Sequence, residues 1–305
     1  MPVKITENTS IDYDVKGEGP PLLLVNGLGF GRWSWFKQVP AFSRHFRTIT
    51  FDVRGERSLR NGVADLTGEV IALLDHLGVA KTHVLGTSLG GFVAQELALA
   101  RPELVDRLVL VCTSYGGPAP EAMSLGALAD MMGFGTFSAE AAVRKALAAA
   151  TGEVYRAEKP EEFEKIVRWR RAHSPSAFSY YEQARAGARF DLSGEVGRIT
   201  SPTLVIHGSE DRYVLPANAR ALADAIPGAE LRVLEDAGHL VFIERFDDVN
   251  REVVRFLKSR DATPARETGG RPTVEEPRKT EGLLRGAISA LRGWVGRVKA
   301  WIGLS

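Results

Sequence analysis

The chain has 305 residues, 39 Lys and Arg against 38 Asp and Glu, 44% hydrophobic residues and a single cysteine. At roughly 100 to 200 residues per domain, this length allows one large or two ordinary domains whose core needs no disulfide or metal staple. A net charge of +1 argues against an electrostatic nucleic-acid binder, and a lone Cys112 excludes both a disulfide framework and a cysteine-based zinc site.

The first fifteen residues show no basic segment followed by an apolar one, so no secretory signal is expected. No stretch approaches the roughly 20 continuous apolar residues of a membrane span. A cytoplasmic globular protein is the default expectation.

In chain order, Leu22–Asn26, Thr48–Val53, His83–Gly86 and Leu108–Cys112 are short apolar runs of the kind that form strands buried on both faces. Helical patterns separate them at Trp33–His45, Asp65–Leu77 and Leu89–Ala100, the last stopped by Arg101-Pro102. Strand alternating with helix predicts an α/β fold with a mostly parallel central sheet flanked by helices. From about 118 to 190 no strand run occurs, and the spacing predicts an inserted all-helical cap of about four helices. Strand patterns resume at Pro202–His207 and Ala229–Leu234, each followed by a helical stretch, the second reaching about Lys258. The expected organisation is a catalytic domain over 1–260, a polar, disordered linker over 261–280 and a separate helix over 281–305.

Gly86-Thr87-Ser88-Leu89-Gly90 lies between a strand run and a helix. A G-x-S-x-G sequence in that context predicts a nucleophile elbow, in which small flanking residues let neighbouring backbone pass a strained serine. The helix N-terminus aims free amides at charge developing on a substrate oxygen. A serine hydroxyl is a weak nucleophile at neutral pH, so Ser88 needs a base and the base an orienting acid. Asp211 and His239 each fall just past a strand, where the groups of open α/β sheets gather. Glu210 and Asp236 are the rivals to Asp211. The other histidines fall at helix ends (His45, His76), in strand contexts (His83, His207) or at the end of a cap helix (His173, which could line the substrate path). Asp52 is read as a turn support.

With the order Ser88, Asp211, His239, residues 1–260 resemble an α/β-hydrolase-fold enzyme. Asn26-Gly27-Leu28-Gly29 stands in the place of the family's His-Gly oxyanion loop, and the resemblance implies that the backbone amides of Leu28 and Leu89 form the oxyanion hole. Asn26 replaces the usual His, a version that resembles enol-lactonases, and related Asn-Gly-Ile-Gly loops resemble polyhydroxyalkanoate depolymerases. Asp52-Val53-Arg54-Gly55-Glu56-Arg57-Ser58 lacks the family's further glycine, which alters a loop bordering the site. A serine at the nucleophile position disfavours the epoxide hydrolases and haloalkane dehalogenases, which use Asp there. The resemblance implies an acyl-enzyme on Ser88 and requires no metal or organic cofactor.

Met123, Leu128, Met131, Met132, Phe134 and Phe137 make the cap apolar, which implies an apolar substrate. Trp33 and Trp35 are either helix packing or part of the acyl pocket. The expected activity is hydrolysis of a carboxylic ester or lactone with an apolar acyl part. The alternatives are C–C bond hydrolysis or perhydrolysis on the same triad, and a non-enzymatic binding or scaffold protein.

Within 281–305, ten apolar residues from Leu283 to Ile302, including Trp294 and Trp301, fall in an arc of about 140°, flanked by Arg285, Arg292, Arg297 and Lys299. The pattern predicts a basic amphipathic helix that docks on a membrane or lipid surface, or on protein. The net charge is accordingly uneven: −2 over 1–260, zero over 261–280 and +3 over 281–305.

Overall fold

The computed structural model describes residues 3–6, 9–52, 58–117 and 121–259. The chain divides into two units, Met1–Arg266 and Glu267–Ser305, and the described residues all belong to the first. The linker and amphipathic helix expected over 261–305 lie outside them, as do 53–57 of the loop that lacks the family glycine.

Eight strands form one sheet: β1 (Val3–Thr6), β2 (Thr9–Lys16), β3 (Pro21–Val25), β4 (Arg47–Asp52), β5 (Thr82–Thr87), β6 (Val105–Val111), β7 (Thr203–Gly208) and β8 (Glu230–Leu234). Their order is β1-β2-β4-β3-β5-β6-β7-β8. Pairing is antiparallel from β1 through β2 to β4 and parallel across the rest. The mostly parallel sheet with an inserted helical cap is the fold class expected from the sequence.

Alternation along the strands builds two cores, because successive side chains point to opposite faces. Leu23 and Val25 of β3 join Val84, Leu108 and Val205 on one face. Helices α2 (Val63–His76), α3 (Leu89–Ala100) and α9 (Pro216–Ala225) cover that face through residues such as Leu73, Leu97 and Leu222. Leu22 and Leu24 join Leu85, Val109 and Ile206 on the other. There α1 (Val39–Phe42) and α11 (Phe246–Lys258) close over them with Phe42, Val253 and Phe256. All six residues of β5 and of β7 are buried, the polar Thr82, His83, Thr87, Thr203 and His207 included, as expected of strands covered on both faces.

The structure corrects the sequence reading at four places. The antiparallel β1 and β2 were not expected; β2 is half solvated, and TSIDYDVK carries too many polar residues to read as a buried run. The helix expected over Trp33–His45 is a 3-10 turn, Arg32–Trp35, followed by the short α1, whose first turn contains Pro40. The stretch after β8 is likewise two helices, α10 (Val241–Glu244) and α11, broken at Arg245. The cap holds five helices: α4 (Leu125–Met131), α5 (Ala139–Ala150), α6 (Glu153–Glu158), α7 (Pro160–Ala172) and α8 (Ala177–Ala188). Helix α7 opens with Pro160, whose missing amide hydrogen is tolerated at the first helical position.

Candidate active site

Helix α3 starts immediately after β5, and Ser88 is the hinge between them, with φ 51° and ψ −119°. That conformation brings backbone very close to neighbours on both sides. A Cβ at Gly86 would collide with the Gly90 carbonyl, and one at Gly90 with the carbonyl oxygens of Val25 and Asn26. The Ser88 amide donates to Val111 O at 2.9 Å, and Thr113 Oγ1 donates to Ser88 O at 2.9 Å. Among the described residues the other non-glycine positions with positive φ are Cys112, after β6, and Asp236, after β8. Backbone strain is thus concentrated at the carboxyl ends of β5, β6 and β8.

Asp211 and His239 meet at the same end of the sheet. Asp211 Oδ2 accepts from His239 Nδ1 at 2.8 Å, which fixes the proton on Nδ1 and leaves Nε2 as a base. Four donors saturate the Asp211 carboxylate. Its Oδ1 accepts the amides of Tyr213 and Val214 at 2.9 and 3.0 Å, and its Oδ2 also lies 3.2 Å from His207 Nε2. Burial alone would raise the pKa of Asp211, but the neighbouring His239 and His207 hold it below the usual carboxylate range. Glu210 and Asp236 are both exposed and make no hydrogen bond to His239.

His207 does more than fill a strand. It is fully buried, and its Nε2 faces two acceptors, Asp211 Oδ2 and the Val214 carbonyl at 2.7 Å, so it carries the proton there and donates to both. Cys112, His207 and Asp211 have their ligand-type atoms within 4.8 Å of one another. That trio is poor metal chemistry, because the Asp211 oxygens already serve four donors and burial pushes the Cys112 thiol up. Cys112 instead links the two halves of the site: its amide donates to Ile206 O, and its Sγ lies 3.9 Å from the carbonyl of Gly238, the residue before His239.

Glu244, which the sequence did not single out, clamps the His239 loop. One oxygen, Oε2, accepts the Gly152 amide at 2.7 Å, and both oxygens lie 3.1 Å from the Gly238 amide. Burial raises its pKa to about 7, outweighing the two backbone amides that pull it down.

The loop Asn26–Gly29 lies against the elbow. A Cβ on Gly27 would stand 3.3 Å from Ser88 Cβ. The amides of Leu28 and Leu89 have no acceptor among the described residues. Asn26 holds the loop by donating from Nδ2 to Phe51 O at 2.8 Å, a role its side chain performs in place of an imidazole. The cap holds it from above: Gln183 Oε1 on α8 accepts the Gly29 amide at 3.3 Å. Asp52 binds the amide and Nε of Arg32 at 2.7 and 2.9 Å, the turn support expected of it. Trp35 is core, packed on Phe242, whereas Trp33 sits at the seam with the cap, stacked on Phe30 and His173 and edge-on to Trp169. His173 is therefore exposed and packs on Trp33.

An elbow serine, a histidine held by a buried acid, and two amides with no acceptor among the described residues, Leu89 at the start of α3 and Leu28 in the facing loop, define the class: the chain belongs to the α/β-hydrolase family. The family model described as alpha/beta hydrolase fold matches residues 20–246. Over 252 residues the chain is 27% identical to RutD of Agrobacterium fabrum, provisionally named a carbamate hydrolase, covering 81% of this chain and 96% of that one. Among solved structures it is similar to the enol-lactonase of Burkholderia xenovorans, with TM-score 0.74, 30% identity, and coverage of 85% of this chain and 100% of that one. A thermophilic esterase from Thermogutta terrifontis gives TM-score 0.72 at 26% identity, covering 85% and 98%. The protein is an α/β-fold hydrolase whose structural neighbours include enzymes of the esterase and lactonase type.

Proposed function

We propose that the protein is a cofactor-independent serine hydrolase that cleaves a carboxylic ester or lactone with an apolar acyl part. The observation that carries this reading is the 2.8 Å Asp211–His239 hydrogen bond at the sheet end where Ser88 occupies the strained elbow. His239 Nε2 takes the Ser88 proton as Oγ attacks the acyl carbonyl. Asp211 keeps the imidazole in the tautomer that accepts it and stabilises the imidazolium that forms. The amides of Leu28 and Leu89 receive the oxyanion, each donor worth roughly 3 kcal/mol in the transition state. His239 then protonates the leaving oxygen, and a water deprotonated by the same nitrogen releases the acid. In a lactone the leaving oxygen stays tethered to the acyl group.

Similarity to an enol-lactonase and an esterase supports both substrate types. A p-nitrophenyl ester chain-length series run beside a lactone panel separates them. The reading predicts turnover of at least one class, with medium or long acyl chains favoured over acetate and no turnover by Ser88→Ala. Turnover retained by Ser88→Ala rejects it.

The composition of 281–305 extends the proposal to location, as a basic amphipathic segment that binds anionic lipid surfaces. The full chain is expected to co-sediment with anionic liposomes and a chain ending at Arg260 to remain in the supernatant; equal pelleting rejects the idea.

A further inference from the structure

Arg170 occupies an unusual place. It projects from the last turn of α7 onto the loop that carries the Leu28 amide: a Cβ on Gly29 would collide with Arg170 Nη2 and come within 2.9 Å of Tyr180 Cε2. The guanidinium carbon stands 5.8 Å from the ring centroids of both Phe30 and Tyr180, so aromatic faces hold it in position. Nη1 donates to Ser174 Oγ at 2.9 Å, and its other donors have no acceptor among the described residues. No carboxylate pairs with it there, whereas Arg32, Arg144 and Arg185 all face an Asp or Glu. Burial pulls its pKa down, the signature of a cation stripped of water without compensation.

The direction it faces is set by its neighbours. The Tyr180 ring lies beside both Gly29 and Arg170, and burial raises the pKa of its phenol while Arg170 lowers it. Tyr213 in turn packs edge-on to His239, with ring centroids 5.4 Å apart. Arg170 and Tyr180 therefore border the oxyanion loop, and Tyr213 borders the imidazole. Arg170 is half-buried, so this donor set is open to a ligand.

We infer that Arg170, supported by Tyr180, is an anion subsite that binds a carboxylate carried by the substrate, so that the preferred ester or lactone is itself an acid. This rests on the serine-hydrolase reading of Ser88. A guanidinium half out of water and without a counter-ion gains most from a group that offers two acceptor oxygens in one plane, and a carboxylate does so with charge-assisted hydrogen bonds. The apolar part of the substrate and the carboxylate are separate groups, as in a half-ester of a dicarboxylic acid.

The test pairs two activated esters of matched length, mono-p-nitrophenyl glutarate and neutral p-nitrophenyl pentanoate, across wild type, Arg170→Met and Arg170→Lys. Wild type is expected to favour the anionic ester in kcat/KM by about tenfold or more, mainly through KM. Arg170→Met should abolish that preference while keeping the neutral ester within about threefold, and Arg170→Lys should retain part of it. Equal kcat/KM for the two esters in wild type, or equal losses on both in Arg170→Met, overturns the subsite. Binding of glutarate to Ser88→Ala by calorimetry decides the matter without chemistry. Glutarate bound by Ser88→Ala and not by the Ser88→Ala, Arg170→Met double variant upholds the subsite even where no ester is turned over, an outcome that counts against the Ser88 reading alone. No glutarate binding to Ser88→Ala removes the subsite and leaves the hydrolase reading standing.

Discussion

At the residue scale, the buried Asp211 carboxylate is held by more than its hydrogen bond to His239. Asp211→Asn preserves volume but presents an amide to His239 Nδ1, which favours the opposite tautomer and turns the base away from Ser88. A loss of about 10³ to 10⁴ in kcat is expected, with KM little changed, measured on whichever ester proves best. The protein should also lose stability at neutral pH, because Asp211 is ionised against two histidines only in the fold. Its folded pKa lies below the unfolded value, so its contribution is present above about pH 4 and lost as pH falls further.

Glu244 works in the other direction. Its pKa is raised from 4.5 to about 7, so the fold keeps a proton that the unfolded chain releases. The stability this contributes is full below about pH 4.5 and is lost as pH rises through 7, an effect on the order of 3 kcal/mol. Glu244→Gln should therefore flatten the pH dependence of urea unfolding between those values. A wild-type-like slope in the variant would show that Glu244 is not the group responsible. Ser88, Asp211 and His239 are legible in the sequence as candidates because each falls where a strand pattern ends. Arg170, Tyr180, Gln183 and Glu244 could not: they sit inside helical patterns whose periodicity says which residues are apolar, not which polar one meets the sheet end. WRRAH offers two adjacent arginines with no signal separating Arg170, over the loop, from Arg171, which pairs with Glu140.

At the element scale, the site depends on β5 and α3 approaching without side chains between them. Gly90→Ala would drive a Cβ into the Val25 and Asn26 carbonyls, both backbone and unable to rotate away. It should cost more than about 2 kcal/mol in urea unfolding and lower kcat, since the same carbonyls belong to the strand and loop beneath the oxyanion amides. A stability loss within about 0.5 kcal/mol would contradict the close packing. The buried parallel strands were legible because short apolar runs such as residues 22–25 and 108–111 survive in them, and α3 because it follows a glycine-rich turn and stops before Pro102. β2 was not, since a partly solvated strand mixes polar and apolar residues. The breaks at Pro40 and Arg245 were missed for a different reason: helical periodicity continues through a kink even where hydrogen bonding does not.

At the scale of the whole molecule, the sheet supplies the reacting groups and the cap supplies what surrounds them. Gln183 ties α8 to the Gly29 amide, and Glu244 ties the start of α6 to the His239 loop, beside further cap contacts such as Glu182 to the Leu59 amide and Tyr213 to Ala146 O. The net charge of +1 that looked featureless is divided between a mildly acidic body and a basic segment over 281–305. The central claim is that Ser88 is the activated nucleophile. Intact-mass analysis after treatment with a fluorophosphonate probe tests it most directly: one adduct is predicted on the wild type, mapping to Ser88, and none on Ser88→Ala. An unlabelled wild type that is demonstrably folded, or a label that persists in Ser88→Ala, would contradict it.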